Sequence, residues 1–188
     1  MIKKLYDSCI ELARHKFSKP MLGFISFIES SFFPIPPDVM IVPMVIAKKE
    51  DYFKIFLIST IFSVLGGLLG YFIGSYLIEY SMFIIEIYGY ENKVIEIQNK
   101  LSSDTGVLMW LGVLFVAGFT PLPYKVFTIS SGIVNFNIYL FILTSLFARG
   151  LRFFLVSYFS MKFGEKFGGS LQRDTEKWFL IIGIFIIL

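Results

Sequence analysis

One cysteine and one histidine in 188 residues leave little room for thiol or metal chemistry. With Cys9 alone there is neither a disulfide framework nor a cysteine metal site. His15 sits in a basic, polar stretch, so a His/Cys zinc centre or a Cys–His nucleophile pair has no residues to build from. No metal and no cofactor is expected. Charge is also scarce: 16% of residues, against about 25% in an ordinary soluble domain. The net charge of +3 is too small to signal nucleic-acid binding. A cleavable leader is not expected either, because Asp7, Glu11, Arg14, Lys16 and Lys19 interrupt what would be its apolar core.

What is present is apolar. Hydrophobic residues make up 56% of the chain, Phe alone contributes 23, and the mean hydropathy is +0.74. About 20 apolar residues are needed per spanning helix. The length suits a single membrane domain, 1–188, with a handful of helical segments. Over residues 1–19, Ile2, Leu5, Tyr6, Cys9, Leu12 and Ala13 recur at helical spacing with charges opposite. That is the pattern of an amphipathic helix lying at the membrane surface.

The clearest span runs from Ile55 to Ile78, uncharged, and ends at Glu79. Its Gly66, Gly70 and Gly74 form overlapping small-xxx-small pairs that let a neighbouring helix approach closely. The preceding stretch, Pro20 to Ala47, is apolar but broken by Pro34, Pro36, Pro37 and Pro43. Proline removes a backbone donor and clashes with the turn before it, so one straight helix is excluded. Pro20 to Phe33 covers about 21 Å as helix, short of the roughly 30 Å hydrocarbon core. Two half-length helices around a Pro-rich tip describe a re-entrant hairpin, whose irregular backbone must be lined by protein or a wet cavity.

The second half repeats the plan. Laying Phe119 on Phe32 also lays Pro121 on Pro34, Pro123 on Pro36, Val126 on Val39 and Tyr158 on Tyr71. The fold class is therefore all-α: a polytopic helical membrane protein with two repeats, each a re-entrant hairpin plus a transmembrane helix. Repeat 1 covers 20–78 and repeat 2 covers 105–161. Lysines and an arginine flank the first hairpin (Lys3, Lys4, Arg14, Lys16 and Lys19 before it, Lys48, Lys49 and Lys54 after it) and mark the cytoplasmic side, with the N-terminus inside. The linker 79–104 is rich in Glu and lies outside as an amphipathic helix. The loop 162–177 returns to the cytoplasm, and a final helix over 178–188 is too short to span alone. Each repeat crosses once, so the second is inverted, as in many secondary transporters.

Ionised side chains inside a membrane are costly, about 2.5–3.5 kcal/mol each on insertion scales, and point to function. Here they are Glu29, Asp38, Lys125, Arg149 and Arg152. Asp38 begins a short helix, where a carboxylate complements the dipole, so capping accounts for it as well as coupling does. Lys125 holds the matching place in repeat 2, where a cation opposes the dipole; a carboxylate partner or an anionic ligand would explain it. Arg149 and Arg152 share one helix face. They form ion pairs with Glu29 and Asp38, or they cradle a phosphate. Helix N-termini at the two tips would also attract an anion.

Three segments carry a family resemblance: Phe27-Ile-Glu-Ser-Ser-Phe-Phe-Pro-Ile-Pro-Pro-Asp38, Gly66-Gly-x-x-Gly-Tyr-x-Ile-Gly74 and Gly118-Phe-Thr-Pro-Leu-Pro-Tyr-Lys125. The chain resembles the DedA family, the VTT or SNARE-associated membrane-protein superfamily, and most closely its YqaA-like branch, over about residues 20–165. That resemblance implies two re-entrant hairpins in inverted repeats and lipid movement between leaflets, of undecaprenyl phosphate or phospholipids. It implies acidic residues near the first hairpin, matched by Glu29 and Asp38, and arginines near the second. Gly118 stands where the family has the arginine before the proline, and Lys125 stands for the one after it.

The function expected is transport of an anionic lipid, recognised by its phosphate, across the inner membrane, with protons as a candidate coupling ion. Lys125, Arg149 and Arg152, with Pro121, Pro123 and Tyr124, bind the substrate. Glu29 and Asp38 couple or gate, and Pro34, Pro36 and Pro37 line the cavity tip. A homo-oligomer is compatible with this. The alternatives are a carrier or channel for small ions or solutes, and a non-transporting scaffold. An intramembrane enzyme would need a histidine or a metal-binding acidic cluster, and no enzymatic activity is expected.

Overall fold

The computed structural model describes residues 13, 15, 17–31, 36–87, 91–120 and 122–173. The N-terminal amphipathic helix, Pro34, Pro121 and the final helix over 178–188 fall wholly or largely outside them. Among the described residues all regular structure is helical. Its elements are α1 (Ser18–Ser31), α2 (Asp38–Ala47), a short 3-10 turn (Lys49–Asp51), α3 (Tyr52–Ile87), α4 (Glu91–Ser102), α5 (Asp104–Phe119), α6 (Tyr124–Ile133) and α7 (Ile138–Arg173).

The breaks have local causes. Among the described residues the prolines of both clusters lie outside helices: α2 starts directly after Pro36-Pro37, and α6 directly after Pro123. Ser103 caps α5, its hydroxyl accepting from the Gly106 N–H at 3.3 Å. After α6 the chain turns through Asn135, which adopts φ 52°, a left-handed conformation that asparagine tolerates. Asn137 then caps α7, its Oδ1 accepting from the Tyr139 and Leu140 N–H groups at 3.0 and 3.1 Å.

Two helix ends differ from the sequence reading. Helix α3 runs past Glu79 to Ile87, and α7 runs past Lys162 to Arg173, so the segments expected as a linker (79–104) and a loop (162–177) begin as continuations of the long helices. A charge at a membrane boundary ends the apolar window, but Glu and Lys are good helix formers and do not stop a helix.

Each proline-tipped pair of helices straddles the molecule. Helix α1 packs on α3 while α2 packs on α7; α5 packs on α7 while α6 packs on α3. The base of the first hairpin sits at the start of α3, where Lys19 pairs with Asp51 at 2.9 Å. Both ends of that hairpin therefore lie at one level. The second hairpin lies toward the other end of α3, with Gly132 on Tyr71 and Ile129 on Gly74. The two meet in the middle of α3, where Thr128 Oγ1 donates to the Ser30 carbonyl at 3.4 Å beside Gly70.

Glycine makes these approaches possible. A Cβ on Gly66 would lie 2.0 Å from the Phe27 carbonyl oxygen, and one on Gly74 would lie 2.0 Å from that of Ile129. Among the described residues the interior holds two apolar clusters, with buried serine and threonine hydroxyls around and between them. Leu22, Ile41, Met44, Val45, Ile55 and Phe153 form one; Tyr71, Leu114, Phe136 and Phe141 form the other. Two stretches, Lys49–Tyr80 and Ile138–Gly164, are long and apolar enough to cross a membrane, with mean hydropathies of 2.0 and 1.6. Their outer faces expose Phe53, Leu57, Ile61, Phe72, Leu143 and Phe147 among others, a surface better matched to lipid than to water.

Candidate functional site

Between the two apolar clusters lies a polar layer built on Arg149. Helix α7 carries this side chain into the interior, where it is 1% exposed. An arginine so deep must satisfy its charge and its N–H groups inside the protein. It does so mainly through the middle of α3 and the end of α1. Nε donates to Ser63 Oγ at 2.6 Å, and Nη2 donates to Glu29 Oε2 at 2.5 Å and more distantly to Ser30 Oγ at 3.4 Å. Ser63 and Ser30 are themselves 2.7 Å apart, and Ser30 Oγ donates to Glu29 at 3.0 Å. The bonds close a ring: guanidinium to Ser63, Ser63 to Ser30, Ser30 to carboxylate, carboxylate back to guanidinium. The Phe153 and Tyr124 rings flank the guanidinium at 4.6 and 5.1 Å from their centroids, within cation–π range.

Tyr124, the first residue of α6, is fully buried, and its hydroxyl donates to Ser145 Oγ. The tip of the second hairpin is thereby tied to α7, next to Arg149.

Arg152 makes the second ion pair, one turn further along α7. Nη2 donates to Asp38 Oδ2, and Nη1 donates to the Thr120 carbonyl at 2.6 Å. Thr120 follows the last residue of α5, where unpaired carbonyls form the negative end of the helix and attract a cation. Asp38 opens α2, at the positive end of its helix. One guanidinium thus joins the tips of both hairpins. This pair is less sealed than the first, with side-chain exposures of 14% for Arg152 and 26% for Asp38. Asp38 Oδ1 is buried without a hydrogen-bond partner.

The residues singled out from the sequence therefore converge. Glu29 meets Arg149 and Asp38 meets Arg152, so the ion-pair alternative describes the arrangement observed. Pro36, Pro37 and Pro123 immediately precede α2 and α6, and Lys125 is half-buried in the first turn of α6. Pro34 and Pro121 are outside the described residues. Sequence reasoning missed Ser30, Ser63, Ser145 and the Thr120 carbonyl. Ser63 is one of several hydroxyls in the run Ile55–Ile78, with Ser59, Thr60 and Ser75, so nothing in the sequence set it apart.

The chain is 38% identical over 184 residues to a Haemophilus influenzae protein named "Uncharacterized protein", covering 98% of this chain and 91% of the relative. It is 37% identical over 185 residues to the Histophilus somni "Uncharacterized protein HI0703 homolog", covering 97% of this chain and 94% of the relative. No protein-family model and no solved structure matches it.

Proposed function

This chain belongs to one family with those Haemophilus influenzae and Histophilus somni proteins, and we propose that it is a membrane carrier moving an anionic lipid between leaflets. The observation that carries this reading is the pair of ion pairs, Arg149–Glu29 and Arg152–Asp38, set deep in the molecule where the two hairpins meet. Buried ion pairs rarely stabilise more than a well-packed apolar substitute, which favours a use other than stability. A phosphate offers a guanidinium the same oxyanion contacts as a carboxylate. A polyprenyl phosphate or phospholipid headgroup can therefore replace Asp38 at Arg152, and then Glu29 at Arg149, without leaving either cation unpaired. In this reading Glu29 and Asp38, displaced in turn from their cations, are the groups that couple lipid movement to protons. The lipid chains stay outside, against the apolar faces of α3 and α7.

Several features support the architecture this needs. The two halves have helices of nearly the same lengths in the same order: 14, 10 and 36 residues, then 16, 10 and 36. We read them as inverted repeats in the inner membrane, with two re-entrant hairpins, a cytoplasmic N-terminus and α4 outside. The resemblance to the DedA family fits this plan. Gly118, which stands in place of that family's arginine, is buried, and a Cβ there would lie 2.8 Å from the Ala148 Cβ and 3.8 Å from the Arg149 Cδ. The side chain of Arg149 passes beside the place an arginine at Gly118 would need, and in this reading supplies its cation.

A second reading has one observation in its favour. Arg149 is sealed and bonded on several sides, as expected of a clasp that holds a non-transporting scaffold together. Proteoliposomes decide between the two. Wild type should accelerate transbilayer movement of fluorescent phosphatidylglycerol, and Arg152→Gln should slow it at least about tenfold while the protein stays folded, one charge-assisted contact being worth about 1.5–3 kcal/mol. No acceleration by wild type, or an unchanged rate in Arg152→Gln, favours the scaffold. Faster movement of soluble anions than of lipid would point to a small-ion carrier.

A further inference from the structure

Away from the buried pairs, a groove of about 310 Å³ opens at the base of the first hairpin, between the start of α1 and α2. Phe17, Met21, Val39, Met40, Pro43 and Met44 wall it with almost purely apolar surface. One end runs into a smaller recess of about 120 Å³ that shares His15, Ser18 and Met44 with the groove and adds Lys19, Lys48 and Asp51. An apolar trough joined to a basic mouth has the two-part chemistry of an amphiphile with a negative head. Asp51 in the mouth pairs with Lys19 at 2.9 Å and faces Lys54 at 3.7 Å, so the ammonium groups outnumber the carboxylate they share and the cluster keeps a positive excess. Lys48 adds a further exposed ammonium, offset in part by the exposed Glu50 on the same turn. His15 accepts from the Phe17 N–H through Nδ1 at 3.4 Å, which leaves Nε2 as a donor. Methionine suits such walls, because its unbranched thioether adapts to the shape of an acyl chain.

We propose that this groove is a lipid site: it holds one acyl chain of an anionic phospholipid from the leaflet at the base of the first hairpin, with the phosphate at Lys48 and Lys19. The inference rests on the membrane placement argued above but not on transport. The site is remote in sequence and in lining from Arg149 and Arg152, and it describes where a lipid resides rather than how one crosses.

The test is native mass spectrometry of the full-length protein in detergent, titrated separately with dioleoyl phosphatidylglycerol and dioleoyl phosphatidylcholine. Phosphatidylglycerol should be retained preferentially. Lys48→Gln should reduce its retention about fivefold, the worth of one basic residue near an anionic headgroup, and leave phosphatidylcholine unchanged. Val39→Trp adds a ring at an exposed position on the groove wall and should lower retention of both lipids. Thermal unfolding of both variants should match wild type, since neither position is buried. Equal retention of the two lipids, or a preference that survives Lys48→Gln, overturns the proposal. So does retention indifferent to Val39→Trp, or retention that appears only after residues 1–12 are removed, which gives the groove to the chain's own N-terminal segment. Loss of lipid transport with retention intact sinks the carrier reading alone, and the reverse result sinks this one alone.

Discussion

Arg149 concentrates the energetics of the molecule in one side chain. Its charge is taken from solvent almost completely and returned by Glu29, two serine hydroxyls and two aromatic faces. Removing one member leaves the other buried and unpaired, at a cost of about 3–5 kcal/mol, whereas replacing both by apolar groups of similar size is close to neutral. Arg149→Ala should therefore lower the thermal unfolding temperature in detergent sharply. The double variant Arg149→Met/Glu29→Leu should recover most of the loss and still fail to move lipid. A double variant that transports as wild type does would show the pair to be a clasp only. At this scale the sequence told which side chains needed explaining, because any charge in an apolar run is conspicuous. It did not tell that Arg149 takes Glu29 and Arg152 takes Asp38. Those partners are more than a hundred positions apart in sequence, and their pairing depends on how the helices pack. Serine hydroxyls such as Ser30 and Ser145 were invisible for the same reason: their role exists only once a partner arrives.

At the scale of elements, α3 is the post against which both hairpins are set. Its glycines decide how close they come. Gly74→Ala drives a Cβ into the backbone of α6, 2.0 Å from the Ile129 carbonyl oxygen, where no flexible side chain can yield. It should destabilise by about 1–3 kcal/mol, read as a lowered unfolding temperature. Gly112→Ala on α5 meets nothing within 4 Å and should be neutral or stabilising by up to about 1 kcal/mol. Equal effects of the two substitutions would contradict the packing described. The proline clusters and the spaced glycines made the breaks and the close approach readable from sequence. The ends of α3 and α7 were not readable, because a long helix can leave the membrane without changing conformation, and a composition window registers only the membrane.

For the whole molecule, the central idea is that two hairpins dip in from opposite sides and their tips share Arg152. The repeat in the sequence suggested it, and the Lys19–Asp51 contact, which brings both ends of the first hairpin to one level, supports it independently. The N-terminal and C-terminal segments add nothing either way, since they lie outside the described residues. Topology is the most direct test, and Cys9 as the single native cysteine makes it clean. In a Cys9→Ser background, single cysteines at Phe17, Glu50, Ser103 and Asn135 are labelled in intact cells with a membrane-impermeant maleimide. The account predicts protection at both Phe17 and Glu50 and labelling at both Ser103 and Asn135. Phe17 and Glu50 on opposite faces of the membrane would mean that α1 and α2 pass straight through, and would contradict it.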